Sequence, residues 1–223
     1  MRAIFCACLI SFAVPAQACE VALMLAVDVS GSVDPTEYRI QMEGLAAGLL
    51  DSSVSAALIS GQSKLALMQW TGTSRQEVVI GWTTMRDDTD VLAFASEVVA
   101  APRLWRNFST AIGEALALSL THFAQVPECA RHVLDISGDG PSNEGRLPTS
   151  VWSELQAAGV TVNALVIEAS IPGLTKYFES DVITGPGAFA ATANTFDEYP
   201  REIARKLLRE LTKSLAAAEL SGR

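Results

Sequence analysis

Val21-Ala22-Leu23-Met24-Leu25-Ala26-Val27 runs without a charge and without helical spacing, and it leads into Asp28-Val29-Ser30-Gly31-Ser32. A continuous apolar run of this length suits a strand buried on both faces of a parallel sheet, because a half-buried strand would alternate. Just downstream, Asp34-Pro35-Thr36-Glu37 supplies a cap, a first-turn proline and an early acid, which predicts a helix ending near Asp51. Lys64–Trp70 and Glu77–Trp82 read as two strands joined by the short connection Thr71–Arg75, a hairpin that places one antiparallel strand at an edge. Asp90–Val99 and Thr110–Phe123 have helical spacing, His132–Ile136 is another buried strand, and Ser150–Ala158 is a helix stopped by Gly159. Thr161–Ile167 and Ala188–Ala191 complete the strands, and a helix from about Asp197 to Leu215 closes the chain. The alternation predicts an α/β fold: a doubly wound, mostly parallel six-stranded sheet with one antiparallel edge strand and helices on both faces.

At 223 residues the chain is long enough to bury such a sheet, and no repeat, low-complexity tract or linker divides it. Apolar residues at 49% against 18% charged exclude a disordered chain. The net charge of −9, with no basic cluster to offset it, repels phosphate backbones, so no nucleic-acid partner is expected.

Met1-Arg2, the apolar run Ala3–Val14 and Ala16-Gln17-Ala18 have the order of a secretory signal. Cleavage after Ala18 is expected, leaving a domain over residues 19–223 in a periplasmic or secreted product. Acylation of Cys19 is disfavoured, because lipoprotein processing prefers Leu where Ala16 stands. The apolar run is too short for a membrane span, and no later segment is long enough without charges. Cys6 and Cys8 would leave with the signal, and two cysteines remaining in an oxidising compartment suggest one bridge. Cys19 and Cys129 lie about equally far before Asp28 and Asp139, on strands that the doubly wound order makes neighbours.

In doubly wound sheets ligands sit beyond the carboxyl ends of the strands, where the winding reverses. There the first strand presents Asp28, Ser30 and Ser32, three oxygen-bearing side chains at alternate positions. Oxygen ligands suit a hard cation such as Mg²⁺, which keeps some of its waters. The fourth strand ends in Asp135-Ile136-Ser137-Gly138-Asp139-Gly140, whose Asp139 is the natural second carboxylate. Phe108-Ser109-Thr110-Ala111-Ile112-Gly113 opens a helix, where Thr110 offers a third hydroxyl. Asp135 stands before the strand end and is expected to have a structural partner instead.

Taken together, DVSGS, the Thr of STAIGEAL and the Asp of ISGDG resemble the three-part metal-ion-dependent adhesion site of von Willebrand factor A domains, in family order. The later segment Gly185-Pro186-Gly187-Ala188-Phe189 resembles a bacterial exported, DUF1194-like subgroup. The resemblance implies that Ser30 and Ser32 bind Mg²⁺ (or Mn²⁺) directly. Thr110 would bind it directly or through water, and Asp28 and Asp139 mainly through water. One position would stay open for an Asp or Glu of a protein partner. Two departures stand out: the family's Thr-Asp-Gly is here Gly138-Asp139-Gly140, and its glycine-rich lead is replaced by Arg106-Asn107-Phe108-Ser109. Thr110 is preferred to Ser109 because Thr-x-x-Gly-x-Ala-Leu matches the family's spacing. Trp105, Asn107 and Ser109 before Thr110, and Asn143 and Arg146 after Asp139, are candidate partner-contacting residues.

Two other functions compete. A haloacid dehalogenase-like phosphatase would use Asp28, but it needs a second Asp two residues on, where Ser30 stands. A metal-free structural periplasmic domain would use Asp28 as a cap and the serines to satisfy a turn. No G-x-S-x-G elbow is present, and His122 and His132 are too few for a zinc cluster. Trp70, Trp82 and Trp152 are read as core. The closing helix gathers Ile203, Leu207, Leu208, Leu211 and Leu215 on one side, leaving Arg201, Arg205, Lys206 and Arg209 as a solvated basic face.

Overall fold

The strand over Val21–Asp28 (β1) is the third of six in the sheet and is buried along its whole length in the computed structural model, which describes residues 19–221 and the side chains of residues 19–212. The expected signal segment, residues 1–18, lies outside the described residues. The other strands are Lys64–Trp70 (β2), Gln76–Thr84 (β3), Arg131–Gly138 (β4), Val160–Ile167 (β5) and Ala190–Ala193 (β6). Their order is β3-β2-β1-β4-β5-β6, with every pair parallel except the edge pair β2 and β3. The doubly wound, mostly parallel sheet with one antiparallel edge strand is therefore observed. The chain winds outward from β1 to β2 and β3, then returns to pair β4 on the other side of β1. That reversal opens the crevice between the carboxyl ends of β1 and β4.

Among the described residues seven α-helices cover the sheet: Pro35–Leu49 (α1), Ser52–Ser60 (α2), Asp88–Ala100 (α3), Ile112–Phe123 (α4), Trp152–Ala157 (α5), Leu174–Tyr177 (α6) and Tyr199–Ser221 (α7). The pleat divides β1 between two cores. Val21, Leu23, Leu25 and Val27 pack under α1, α2, α3 and α7, while Ala22, Met24 and Ala26 pack under α4 and α5. The α1–α7 contact is close because Gly44 has no side chain: a Cβ there would come within 2.9 Å of the Pro200 ring.

Some boundaries differ from expectation. The helix expected to end near Asp51 stops at Leu49, and the Asp51 carboxylate accepts from the amides of Ser53 and Val54, so it caps a further helix, α2. Strand β6 lies two residues later than expected, at Ala190–Ala193, and α6 with the π turn Phe178–Val182 was not anticipated. Trp70 is fully buried, and Trp82 and Trp152 are partly buried against the same core. Among the described residues no single helix is long and apolar enough to cross a membrane.

The basic face expected on α7 needs one correction. Lys206 is buried, and its Nζ lies 2.6 Å from both Asp135 and Glu210. A lysine is expected on the solvated face because it is charged, but positions 206 and 210 face the sheet beside Leu207. Asp135 and Asn163 are register partners on β4 and β5, and Asn163 donates to Glu210 at 2.8 Å. The polar stripe on the sheet is thus matched by an i,i+4 pair on the helix. Asp135 has the structural partner expected of it.

Cys19 and Cys129 form a disulfide at the amino ends of β1 and β4, with their Cα atoms 4.4 Å apart. The bridge spans a sequence separation of 110 residues, so its effect on unfolded-chain entropy is large. Exchanging both cysteines for Ser is expected to cost about 2–4 kcal/mol. Urea unfolding of the two forms measures this, and coincident midpoints would contradict it.

Candidate metal centre

The switch point brings together the five residues expected to hold a metal: Ser32, Thr110 and Asp139 line the open cleft, and Asp28 and Ser30 are buried next to it without lining it. Asp28 closes β1 and is fully buried; one carboxylate oxygen, Oδ1, accepts the Ser30 amide at 2.7 Å, and the other, Oδ2, has no hydrogen-bond partner. Ser30 Oγ and Ser32 Oγ are 3.3 Å apart, and Ser32 Oγ donates to Asp139 Oδ1 at 2.6 Å. One hydroxyl loop therefore links the ends of β1 and β4. Burial, and after it the charge of Asp139, pushes the Asp28 carboxyl up to about 7. Burial also raises Asp139, against the lowering effect of the Ser32 hydrogen bond.

Thr110 is buried at the start of α4 and joins the same cleft, whose volume is about 220 Å³. Its amide donates to Asn143 Oδ1 at 2.9 Å, and its carbonyl accepts the Asn143 amide at 2.9 Å. This two-sided clamp explains why Thr110 lines the cleft while Ser109, facing outward, donates no side chain to it. Gly31 is required by close approach: its amide donates to the Phe108 carbonyl at 2.8 Å, and a Cβ would meet that oxygen at 3.2 Å. Among the described residues no three His, Cys, Asp or Glu side chains come together, so a cation in this crevice has two carboxylates and hydroxyls to bind it.

The candidate partner residues divide. Asn143 lines the cleft, whereas Asn107, whose backbone is left-handed at φ 60°, does not. Trp105, Ser109 and Arg146 do not line it. Arg146 turns instead to Glu114 on α4, with its Nε 3.3 Å from the carboxylate. The exposed Phe108, which lies in the segment Trp105–Ser109 expected to choose among partners, lines the cleft together with Ser170 and Ile171, and these last two were not singled out from sequence. Ile171 belongs to the connection after β5, which carries no motif.

Two further side chains, Arg103 and Gln69, support the loops around the crevice and carry no expectation from sequence. Arg103 donates through Nη2 to the carbonyls of Val29 and Ser30, at 3.0 and 2.8 Å, and so fixes the loop between the hydroxyls. Gln69 on β2 donates to Pro102 O and to the Tyr38 hydroxyl, and accepts the Leu104 amide. A Gln inside the apolar run Lys64–Trp70 was the available signal, because a buried amide needs partners. A larger cleft of about 790 Å³ lies at the amino end of the sheet, beside Gly159, Pro186 and Glu210, and holds none of these residues.

A family model described as a protein of unknown function, DUF1194, matches residues 18–215. The chain belongs to the DUF1194 family. This DUF1194 chain is similar in fold to proximal thread matrix protein 1 from the mussel byssus, with a TM-score of 0.65 at 18% identity over 85% of this chain and 47% of that one. It is also similar to a von Willebrand factor type A protein from Catenulispora acidiphila, with a TM-score of 0.62 at 18% identity over 86% and 43%. A third likeness is to the pilus adhesin SpaC of Lactobacillus rhamnosus GG, at 0.61 and 13% identity over 86% and 31%. The chain spans less than half the length of these three. No curated protein matches it. At such identities the likeness concerns fold alone, and the fold is that of a von Willebrand factor A domain.

Proposed function

We propose that this DUF1194 protein is an exported, metal-dependent protein-binding module that grips an acidic group of its partner through Mg²⁺ (or Mn²⁺). Asp28, Ser30, Ser32, Thr110 and Asp139 are the residues that would hold the ion. A bound divalent ion would supply a positive centre able to attract a carboxylate to a surface that is otherwise acidic.

The observation that carries this reading is the unpartnered, fully buried Asp28 Oδ2 beside the second carboxylate of Asp139. Buried polar atoms are nearly always satisfied, and two carboxylates raised by burial form a destabilising pair unless a cation joins them. The hydroxyls of Ser30 and Ser32 add oxygen donors of the kind Mg²⁺ takes. A pilus adhesin and a thread matrix protein share the fold, which supports a protein as the partner. The disulfide supports an oxidising, periplasmic or secreted location. The phosphatase alternative lacks its acid–base carboxylate, since Ser30 holds that position.

Asp139→Ala tests the reading. The variant is expected to lose Mn²⁺ binding by at least tenfold, an order-of-magnitude expectation for removing one of two charged ligands. Electron paramagnetic resonance of free Mn²⁺ measures the affinity. Capture of the natural partner from the exporting cell should fail in chelator and with the variant. Unaltered Mn²⁺ affinity in a folded Asp139→Ala protein would remove the site.

A further inference from the structure

Seven large hydrophobic side chains are exposed among the described residues, and two of them, Phe108 and Ile171, come from distant segments to the same cleft as Ser32, Thr110 and Asp139. Isolated exposed apolar residues are ordinary, but apolar walls around a few convergent polar groups are the mark of a ligand site. Phe108 is 38% exposed and Ile171 39%, so each retains apolar surface for a partner to cover.

Phe108 is also held in place rather than left loose. Its carbonyl accepts the Gly31 amide at 2.8 Å, the Arg75 guanidinium lies 3.8 Å over its ring, and the preceding Asn107 takes the left-handed conformation at φ 60°. Asn tolerates that conformation better than most non-glycine residues, so the turn before Phe108 is sharply set at little cost. The Gly31 bond ties the Phe108 backbone to the hydroxyl loop Ser30–Ser32, and Arg75 covers one face of the ring. The volume of about 220 Å³ suits a carboxylate with one side chain and is smaller than the cleft a drug-sized ligand needs.

We infer that the partner's carboxylate is accompanied by a large apolar side chain, and that Phe108 and Ile171 are the residues that select for it. The inference rests on the metal reading above and adds the chemistry of the partner to it. A metal position alone accepts any carboxylate. Covering the Phe108 and Ile171 surfaces adds hydrophobic affinity available only to an acid with an apolar neighbour.

Two small acids serve as probes: acetate, which offers the carboxylate alone, and 3-phenylpropanoate, which adds an aromatic group. Binding to the purified protein is measured by calorimetry in saturating Mg²⁺, after Mg²⁺ itself has been titrated. The aromatic acid is expected to bind about tenfold or more tightly than acetate. Phe108→Ser and Ile171→Ser should each reduce that ratio about threefold or more, and together bring it close to one. Mg²⁺ affinity and acetate binding should stay as in the parent protein. Both positions are exposed, and melting curves establish that the variants are folded. Equal affinity for the two acids in the Mg²⁺-loaded parent, or a ratio that survives the double substitution, overturns this inference and leaves the metal reading standing. Absence of Mg²⁺ binding in the first titration overturns both.

Discussion

Asp28→Asn is expected to raise the stability of the metal-free protein while removing its response to Mg²⁺. The parent side chain is fully buried, has one oxygen without a partner, and carries a carboxyl raised from 3.8 to about 7. A raised acid contributes its full stability below its unfolded pKa and loses it as pH rises through the folded value. The metal-free parent should therefore weaken between about pH 4 and pH 7, by a limit on the order of 4 kcal/mol above that range. Asn keeps an oxygen for the Ser30 amide and carries no charge to bury. Thermal unfolding in chelator from pH 5 to 8 should show a flatter pH dependence for the variant. Added Mg²⁺ should stabilise the parent only. An equal Mg²⁺-induced shift in both proteins would remove Asp28 from the metal reading. The same residue would thus weaken the empty fold and make the loaded one functional, a trade found where sites are built from buried charge.

Lys206→Met is expected to cost about 3–5 kcal/mol, because it leaves Asp135 and Glu210 buried without their shared cation. For a domain of this size that lowers the melting temperature by roughly 10 °C. Burial and the charge of Asp135 already raise the Glu210 carboxyl, and Lys206 opposes them. Removing Lys206 should raise it further. The deficit should then be largest above neutral pH and shrink on acidification, as the Glu210 carboxyl takes up a proton. Adding Asp135→Asn and Glu210→Gln to the variant should restore stability to within about 1–2 kcal/mol, since a neutral polar cluster needs no cation. Urea unfolding at pH 5.5 and 8 distinguishes these outcomes. A Lys206→Met protein within about 1 kcal/mol of the parent at pH 8 would mean that the cluster is hydrated or relaxed, contrary to the burial described.

The two predictions concern opposite faces of one sheet: Asp28 shares the face covered by α4 and α5, and Asp135 the face covered by α1 and α7. At the carboxyl ends of β1 and β4, charge is left uncompensated beside a cleft. Farther along β4, Asp135 is enclosed and matched by α7. Burial alone does not separate them, since both carboxylates are nearly inaccessible. The difference is the partner: Asp135 has a lysine at 2.6 Å, and Asp28 has a second carboxylate and hydroxyls.

The sequence by itself determined the elements whose character is local or periodic. The apolar run of β1, the hairpin of β2 and β3, the Asp34 cap and the alternation of strands with helices are short-range signals, and they were enough to specify a doubly wound sheet. Asp28, Ser30 and Ser32 could be placed for the same reason: the residues lie next to each other at the end of a buried strand. Asp139 followed from its own strand end, because the topology brings such ends to one crevice, and Thr110 rather than Ser109 followed from the resemblance to the von Willebrand factor A spacing. The pairing of Cys19 with Cys129 followed from equal distances to that crevice along neighbouring strands.

Other features depend on which surface faces which, and only the tertiary structure decided them. Lys206 reads as a solvated charge until α7 is rotated onto the Asp135–Asn163 stripe. Arg146 reads as a rim residue until Glu114 draws it to α4. Phe108 and Ile171 are 63 residues apart with no shared motif, and nothing local brings them to one cleft. The second helix, α2, was hidden because Asp51 reads equally well as the end of one helix or the cap of the next. Hydrophobic periodicity reports that a face is buried, but the partner across that face is set by the packing of the whole sheet.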